Sequence, residues 1–407
     1  MTQLRSSIFP PRGVRGRGLA ATLAVAAVSV FSTSALAAEP QFTPLGASVP
    51  APPQPVTATD GRVHLVYEIG LLSIELGGTV PVEVQSLDVR TPGGRTLQSL
   101  TGSELVMTTG APLEASTTLA PGAGGTVWLD VTLPRGGRVP RALVHRLRVH
   151  ADYPAPLGSR TFTFDTARTR VSRRRAISIS PPLRGGGWLN FNGCCELGPH
   201  RGGRVSVDGG LYLPQRFATD FLRIDEQGIG FEGDLARNES WYGYREPVYA
   251  VADGVVVSAR DDLPENTPPI DPPIETFTPD SDRGNSVVLR LGDGRYALFG
   301  HLHTGSVRVR PGQRVGAGQM LGRLGNTGAS GAPHLHLDIA DSPRALAGNG
   351  LPYVFDRFRV TGVATNLEEF LSLEPAAVDP VRVASRRGQY PLQATVLDFR
   401  QGRRPVG

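Results

Sequence analysis

The stretch GNTGASGAPHLHLDIA, residues 325–340, carries the pattern that decides the fold. Its first nine residues are dense in glycine and small polar side chains, the chemistry of a turn that delivers a strand. The next four alternate His334 and His336 with Leu335 and Leu337. Side chains two apart on a strand share a face, so the leucines point to a core while both imidazoles point the opposite way. Such a pair is either part of a metal site or two satisfied sheet histidines, and spacing alone leaves both readings open.

Working outward, a second His-x-His pair, His301 and His303, closes the run NSVVLRLGDGRYALFGHLH. Asp293-Gly294 within it is a strong hairpin signal. Five of the eight histidines fall in this region, whose strands and tight turns extend from 184 to 372 and mark a second domain. One segment, 261–283, interrupts it with six prolines and seven acids. That segment reads as a long surface loop, either shaping a cleft or serving no role.

Residues 58–180 carry short β-type runs such as VHLVYEIG, TVWLDVTLP and HRLRVHADY, separated by turn clusters. They predict a β-sandwich, and His64, His145 and His150 read there as ordinary strand residues. Arg173–Arg175 and Gly185–Gly187 mark the boundary between the domains. Residues 38–57, rich in Pro and Ala, read as a linker, and 373–407 as a C-terminal tail. The fold class expected throughout is all-β.

Composition narrows the functions. All 42 basic residues are Arg, and no Lys occurs in the 407 residues. This excludes lipoyl or biotinyl carriers, Schiff-base enzymes and Walker-type phosphate loops, which need an amine. Arg5, Arg12, Arg15 and Arg17 precede the small and apolar run Gly18–Phe31, which ends near Ala35-Leu36-Ala37. Residues 1–37 therefore read as a secretory signal peptide, implying an extracytoplasmic protein, periplasmic or secreted. Cleavage there leaves 38 Arg against 37 acids, a charge of +1, so no nucleic-acid partner is expected. No later stretch is long and apolar enough to span a membrane. Cys194 and Cys195 are adjacent and the only cysteines, so no disulfide framework holds the fold.

The segments PVYAVADGVVVSA, RGNSVVL, YALFGHLH, VRPGQRVGAGQMLGRLGNTG and ASGAPHLHLDI, in that order between Pro247 and Ile339, resemble the LytM/lysostaphin-type zinc metallopeptidases that cleave peptidoglycan. The resemblance implies an antiparallel β-sheet metallopeptidase domain with Zn²⁺ as cofactor, acting on peptide cross-links of the cell wall or on Gly-rich peptides. In that family the second His of the His-x-His pair binds zinc with an upstream His and Asp. By the same resemblance, His336 is a metal ligand, while His334 and His301 are catalytic; His303 matches no role in the family and reads as a rim residue.

The upstream half departs from the family's spacing. Asp220 in QRFATDF aligns with the ligand Asp, but Arg216 stands four residues before it, where the family has its His. His200 is assigned as the displaced ligand, reaching the site across a hairpin turning at Asp208-Gly209-Gly210, with a Cys195 thiolate as the alternative. Asp225 and Asp208 are the alternative carboxylates. The expected function is a zinc endopeptidase of the cell wall. The alternative is an inactive LytM-type domain that binds wall or activates a partner hydrolase.

Overall fold

The strand Val63–Ser73 sorts its side chains onto two faces, each with its own core. Its odd-numbered Leu65, Tyr67, Ile69 and Leu71 are buried in one core, whereas its even-numbered Val66 joins a different one. A strand covered on both faces buries polar residues as well, and His64 and Glu68 are 4% and 1% exposed. The computed structural model describes residues 41–74, 80–109, 115–367, 370 and 373–399. The signal-peptide reading of 1–37 lies outside them.

Two five-stranded antiparallel sheets form the N-terminal region. In the first, Val63–Ser73 lies between Leu45–Ser48 and Gly124–Leu133. In the second, Ala142–Asp152 lies between Ser159–Arg170 and Val82–Arg90. One core cluster draws on both, with Leu65 and Leu129 from the first and Leu87, Leu147 and Val149 from the second. Two short strands of the first sheet, Leu45–Ser48 and Gln54–Thr57, fall inside the stretch expected to be a linker. Both pair with Val63–Ser73, and ladder bonds along a buried strand outweigh a composition that favours extension.

The second region is organised by a ten-stranded sheet whose pairings are all antiparallel. Its centre runs Tyr296–Gly300, Leu335–Ala340, Thr219–Arg223 and Trp188–Phe191. The stretch 373–407, expected to be a tail, supplies two of its strands. Thr395–Asp398 lies between Trp188–Phe191 and Phe358–Ala364, and Val378–Arg386 pairs with the latter. Val396 and Leu397 are buried there, which explains why so short an apolar run holds a central place.

The two regions share a core: Val56, Ala58 and Val66 pack in one cluster with Trp188, Phe217, Phe221 and Tyr390. Buried polar contacts reinforce it. The Arg216 guanidinium donates to both carboxylate oxygens of Glu68, at 3.0 and 2.6 Å. Arg201 donates to the carbonyls of Leu129 and Cys195, and Arg204 to the Thr126 hydroxyl. The residue standing in the family's ligand position thus serves as a bracket between the sheets.

Candidate metal centre

Strand register assembles the site. His336 lies opposite Gly300 on one side and Asp220 on the other. At Gly300 a Cβ would approach the Cβ of His336 to 3.3 Å, so the glycine leaves that row room for the imidazole. His336 Nδ1 is 2.9 Å from Asp220 Oδ1, and its Nε2 is 3.2 Å from Asp338 Oδ2. Asp338 in turn accepts from the buried Arg283 guanidinium at 3.1 Å. Asn192 donates to Asp220 Oδ2 at 2.9 Å.

His200 arrives from the helical turn Pro199–Gly202, which begins on a proline suited to a first helical position. Between it and Asp220 lies the hairpin Val205–Val207 and Gly210–Tyr212, whose turn residues Asp208 and Gly209 have φ of 50° and 78°, as a tight two-residue turn requires. The His200 Nε2 reaches Asp220 Oδ2 at 3.2 Å, and its ring lies 4.8 Å from that of His336. His200, Asp220 and His336 are all buried, and each offers a ligand atom within 4.8 Å of the others.

Two further imidazoles face this group. His334 Nε2 is 3.4 Å from Asp220 Oδ1, and the His301 ring lies 4.6 Å from that of His334. Their tautomers follow from their partners, since a carbonyl oxygen only accepts. His301 Nδ1–H donates to Thr327 O at 2.7 Å and His334 Nδ1–H to Ala332 O at 2.8 Å. In the neutral ring of each, Nε2 is then the unprotonated nitrogen; that of His334 faces Asp220.

Electrostatics follow the same contacts. Burial alone would raise the Asp220 carboxyl, but His200 and His334 beside it hold it well below the usual carboxylate range. Burial, then the neighbouring His334 and His336, push His301 well below an ordinary imidazole. In His334 burial acts downward, yet Asp220 prevails and the pKa is raised.

The donor set fits a divalent metal. Two imidazole nitrogens and one carboxylate suit a hydrolytic zinc, which keeps a further position open. Among the described residues the buried His200 Nδ1 has no hydrogen-bond partner, whereas a structural histidine would have one.

The stretch 242–347 matches the model of peptidase family M23. This chain carries a LytM-type peptidase domain. The match contains His301, His334 and His336, while His200 and Asp220 precede it. Similar curated proteins include the peptidoglycan DD-endopeptidase ShyA of Vibrio cholerae, 36% identical over 93 residues, which are 23% of this chain and 17% of that protein. The cell division protein DipM of Caulobacter vibrioides is 31% identical over 97 residues, 24% of this chain and 13% of that protein. The aligned part is thus less than a fifth of either relative's length. Among solved structures, the catalytic domain of lysostaphin from Staphylococcus simulans aligns with 39% of this chain and 80% of its own at 22% identity and a TM-score of 0.21.

The other residues singled out in the sequence lie elsewhere. Asp208 is exposed and pairs with Arg344, and Asp225 caps a turn through the amides of Gln227 and Ile229. Cys195 is bonded to Cys194. His303 Nδ1 lies 2.7 Å from Glu265 Oε1. Glu265 belongs to the proline-rich segment 261–283, which packs on the loop preceding His334: its Oε2 accepts from Asn326 N, and Asn266 donates to Gly328 O and Ser330 O. Asp338 and Asn192 were not among the expected site residues. Asp338 could have been found from its place two residues after His336 on one strand face, whereas nothing local marks Asn192.

Proposed function

We propose that this chain is an extracytoplasmic zinc endopeptidase that hydrolyses peptide bonds in peptidoglycan cross-links. The observation that carries this reading is the convergence of His200, Asp220 and His336 within 4.8 Å, beside His301 and His334, whose Nδ1–H groups are held by backbone carbonyls. His200, Asp220 and His336 would hold the zinc, which when bound lowers the pKa of a water and polarises a carbonyl.

The chain's own residues do the rest. Asp338 takes the Nε2 proton of His336 in a hydrogen bond, fixing the tautomer and aiming Nδ1 at the site. His334 and His301, with Nδ1–H committed to carbonyls, each present Nε2 to take a proton from the attacking water and return one to the leaving amine as the C–N bond breaks. Substrate class rests on the likeness to ShyA, and location on the N-terminal Arg-flanked apolar run.

The test is incubation of the purified protein with sacculi, with and without chelator. Chelator-sensitive release of muropeptides is expected. No release, or release indifferent to chelator, overturns the reading. Zinc content per chain of the wild type beside His200→Ala tests the displaced ligand, which is refuted if the two bind zinc equally.

A further inference from the structure

Outside the His200 centre, the described residues bring together one other group of metal-ligating side chains. His64, Asp130 and Cys195 each place a ligand atom within 4.8 Å of the other two. The first two meet because Val66 lies opposite Asp130 and His64 opposite Thr132 in the ladder, which makes His64 and Asp130 diagonal neighbours on one face. That face looks toward the second region, whose loop after Trp188–Phe191 supplies Cys195.

The histidine is already oriented as a metal ligand would be. Its Nε2 lies 3.2 Å from both oxygens of Asp60, and its Nδ1 lies 2.8 Å from Asp130 Oδ2. A metal-binding imidazole characteristically gives one nitrogen to the ion and the N–H of the other to a carboxylate. The group opens into a cleft of about 710 Å³, also lined by Cys194 and Glu196. His64 and Cys195 are 4% and 7% exposed, so a metal there would be largely shielded yet reachable.

One feature keeps the set from being complete: the sulfur of Cys195 is bonded to that of Cys194, and a disulfide sulfur is no thiolate. We propose that His64, Asp130 and Cys195 form a redox-gated zinc site, which binds one Zn²⁺ once the Cys194–Cys195 disulfide is reduced. The reductant is a dithiol: its two S–H groups become a disulfide, the protein S–S bond breaks, and two protein thiols form. On binding, the Cys195 thiol gives its proton to solvent and the thiolate takes the metal. Mixed nitrogen, oxygen and sulfur donors select zinc over calcium or magnesium.

The inference does not depend on the hydrolytic reading, because it is read as a difference between redox states of one protein. The full chain is stripped of metal, reduced with a phosphine or left oxidised, desalted anaerobically, dialysed against Zn²⁺, and its zinc per chain measured. The reduced protein is expected to carry one zinc more than the oxidised. Cys194→Ser frees Cys195 without reductant and is expected to show the extra zinc in both states. Cys195→Ser removes the same disulfide and is expected to show it in neither, and His64→Ala abolishes the increment. Equal zinc in reduced and oxidised wild type, or an equal gain in both serine variants, overturns the proposal. His200→Ala reports the other site separately: it lowers zinc in both redox states and leaves the increment.

Discussion

Two histidines in this molecule sit between paired aspartates, and their surroundings differ. His336 has Asp220 at Nδ1 and Asp338 at Nε2; His64 has Asp130 at Nδ1 and Asp60 at Nε2. Around His336 the carboxylates are 7% and 1% exposed, and three more imidazoles stand near. Around His64 they are 24% and 33% exposed, and the additional donor is a sulfur held in a disulfide. In the proposed function and the proposed redox-gated site, the same imidazole between two carboxylates serves two chemistries. Spare imidazoles in a dry site supply proton transfer, whereas a thiol without them supplies only affinity.

The largest effect is expected at the carboxylate shared by the first cluster. Asp220→Asn removes the charge of the proposed carboxylate ligand from a buried site and should lower release from sacculi by more than about 100-fold, the upper end of what losing an outer partner costs. The counterpart Asp130→Asn, in the other cluster, should leave release near the wild-type level. Equal losses would mean that the two clusters act as one centre.

Next in size is the bracket that joins the strand of His64 to the approach to Asp220. Glu68 and Arg216 are 1% and 7% exposed at their side chains, so removing one partner strands a buried charge. Glu68→Ala should cost about 3–5 kcal/mol of unfolding free energy, measured by denaturant titration. A loss below about 1 kcal/mol, the range of exposed pairs, would show that the two regions are not held at this point.

A third histidine sharpens the contrast, because it has no carboxylate. His145 is fully buried, donates Nδ1–H to Ala167 O at 3.0 Å and accepts from the Tyr67 hydroxyl at 2.7 Å. Burial pushes it down to about 4, while His64, where Asp130 and Asp60 overcome burial, is pushed up. The titratable group facing His145 is Tyr67, itself raised above its ordinary range and neutral across this window. Between pH 6.5 and 4 the unfolded chain therefore binds a proton at His145 that the folded chain refuses. Stability contributed above pH 6.5 is lost as pH falls toward 4, by about 3 kcal/mol. His145→Gln, which keeps a donor and an acceptor but does not titrate, should lose that much less over the same interval. An identical loss in both proteins would assign the acid sensitivity elsewhere.

Legibility in the sequence followed the range of the physics. Period-2 alternation in LHLDIA and VHLVYEIG revealed strands and faces, because side-chain direction is a local property. Linker and tail were misjudged for the opposite reason: Leu45–Ser48 and Thr395–Asp398 are strands by virtue of partners distant in the chain. His64 read as an ordinary strand residue because only Asp60 is near it in sequence, while Asp130 and Cys195 arrive through ladder and loop. His200 was reached only through the family's missing histidine at 216, and Arg216 took its meaning from Glu68, which no local pattern connects to it.

The smallest effect tests the outer member of the first cluster. Asp338 accepts from His336 Nε2 and from Arg283, and is itself 1% exposed. In Asp338→Asn the side chain keeps its shape, but one of its oxygens becomes an N–H donor and the charge facing Arg283 is gone. Arg283 retains Asp282, so the chain keeps a partner for its buried cation while His336 loses basicity and orientation. Zinc affinity, measured by competition with a chromogenic chelator, should fall about 10- to 100-fold, with sacculus hydrolysis falling in step. Affinity unchanged with activity lost would instead make Asp338 a participant in proton transfer, and the likeness between His336 and His64, each steadied by a second carboxylate, would be one of shape alone.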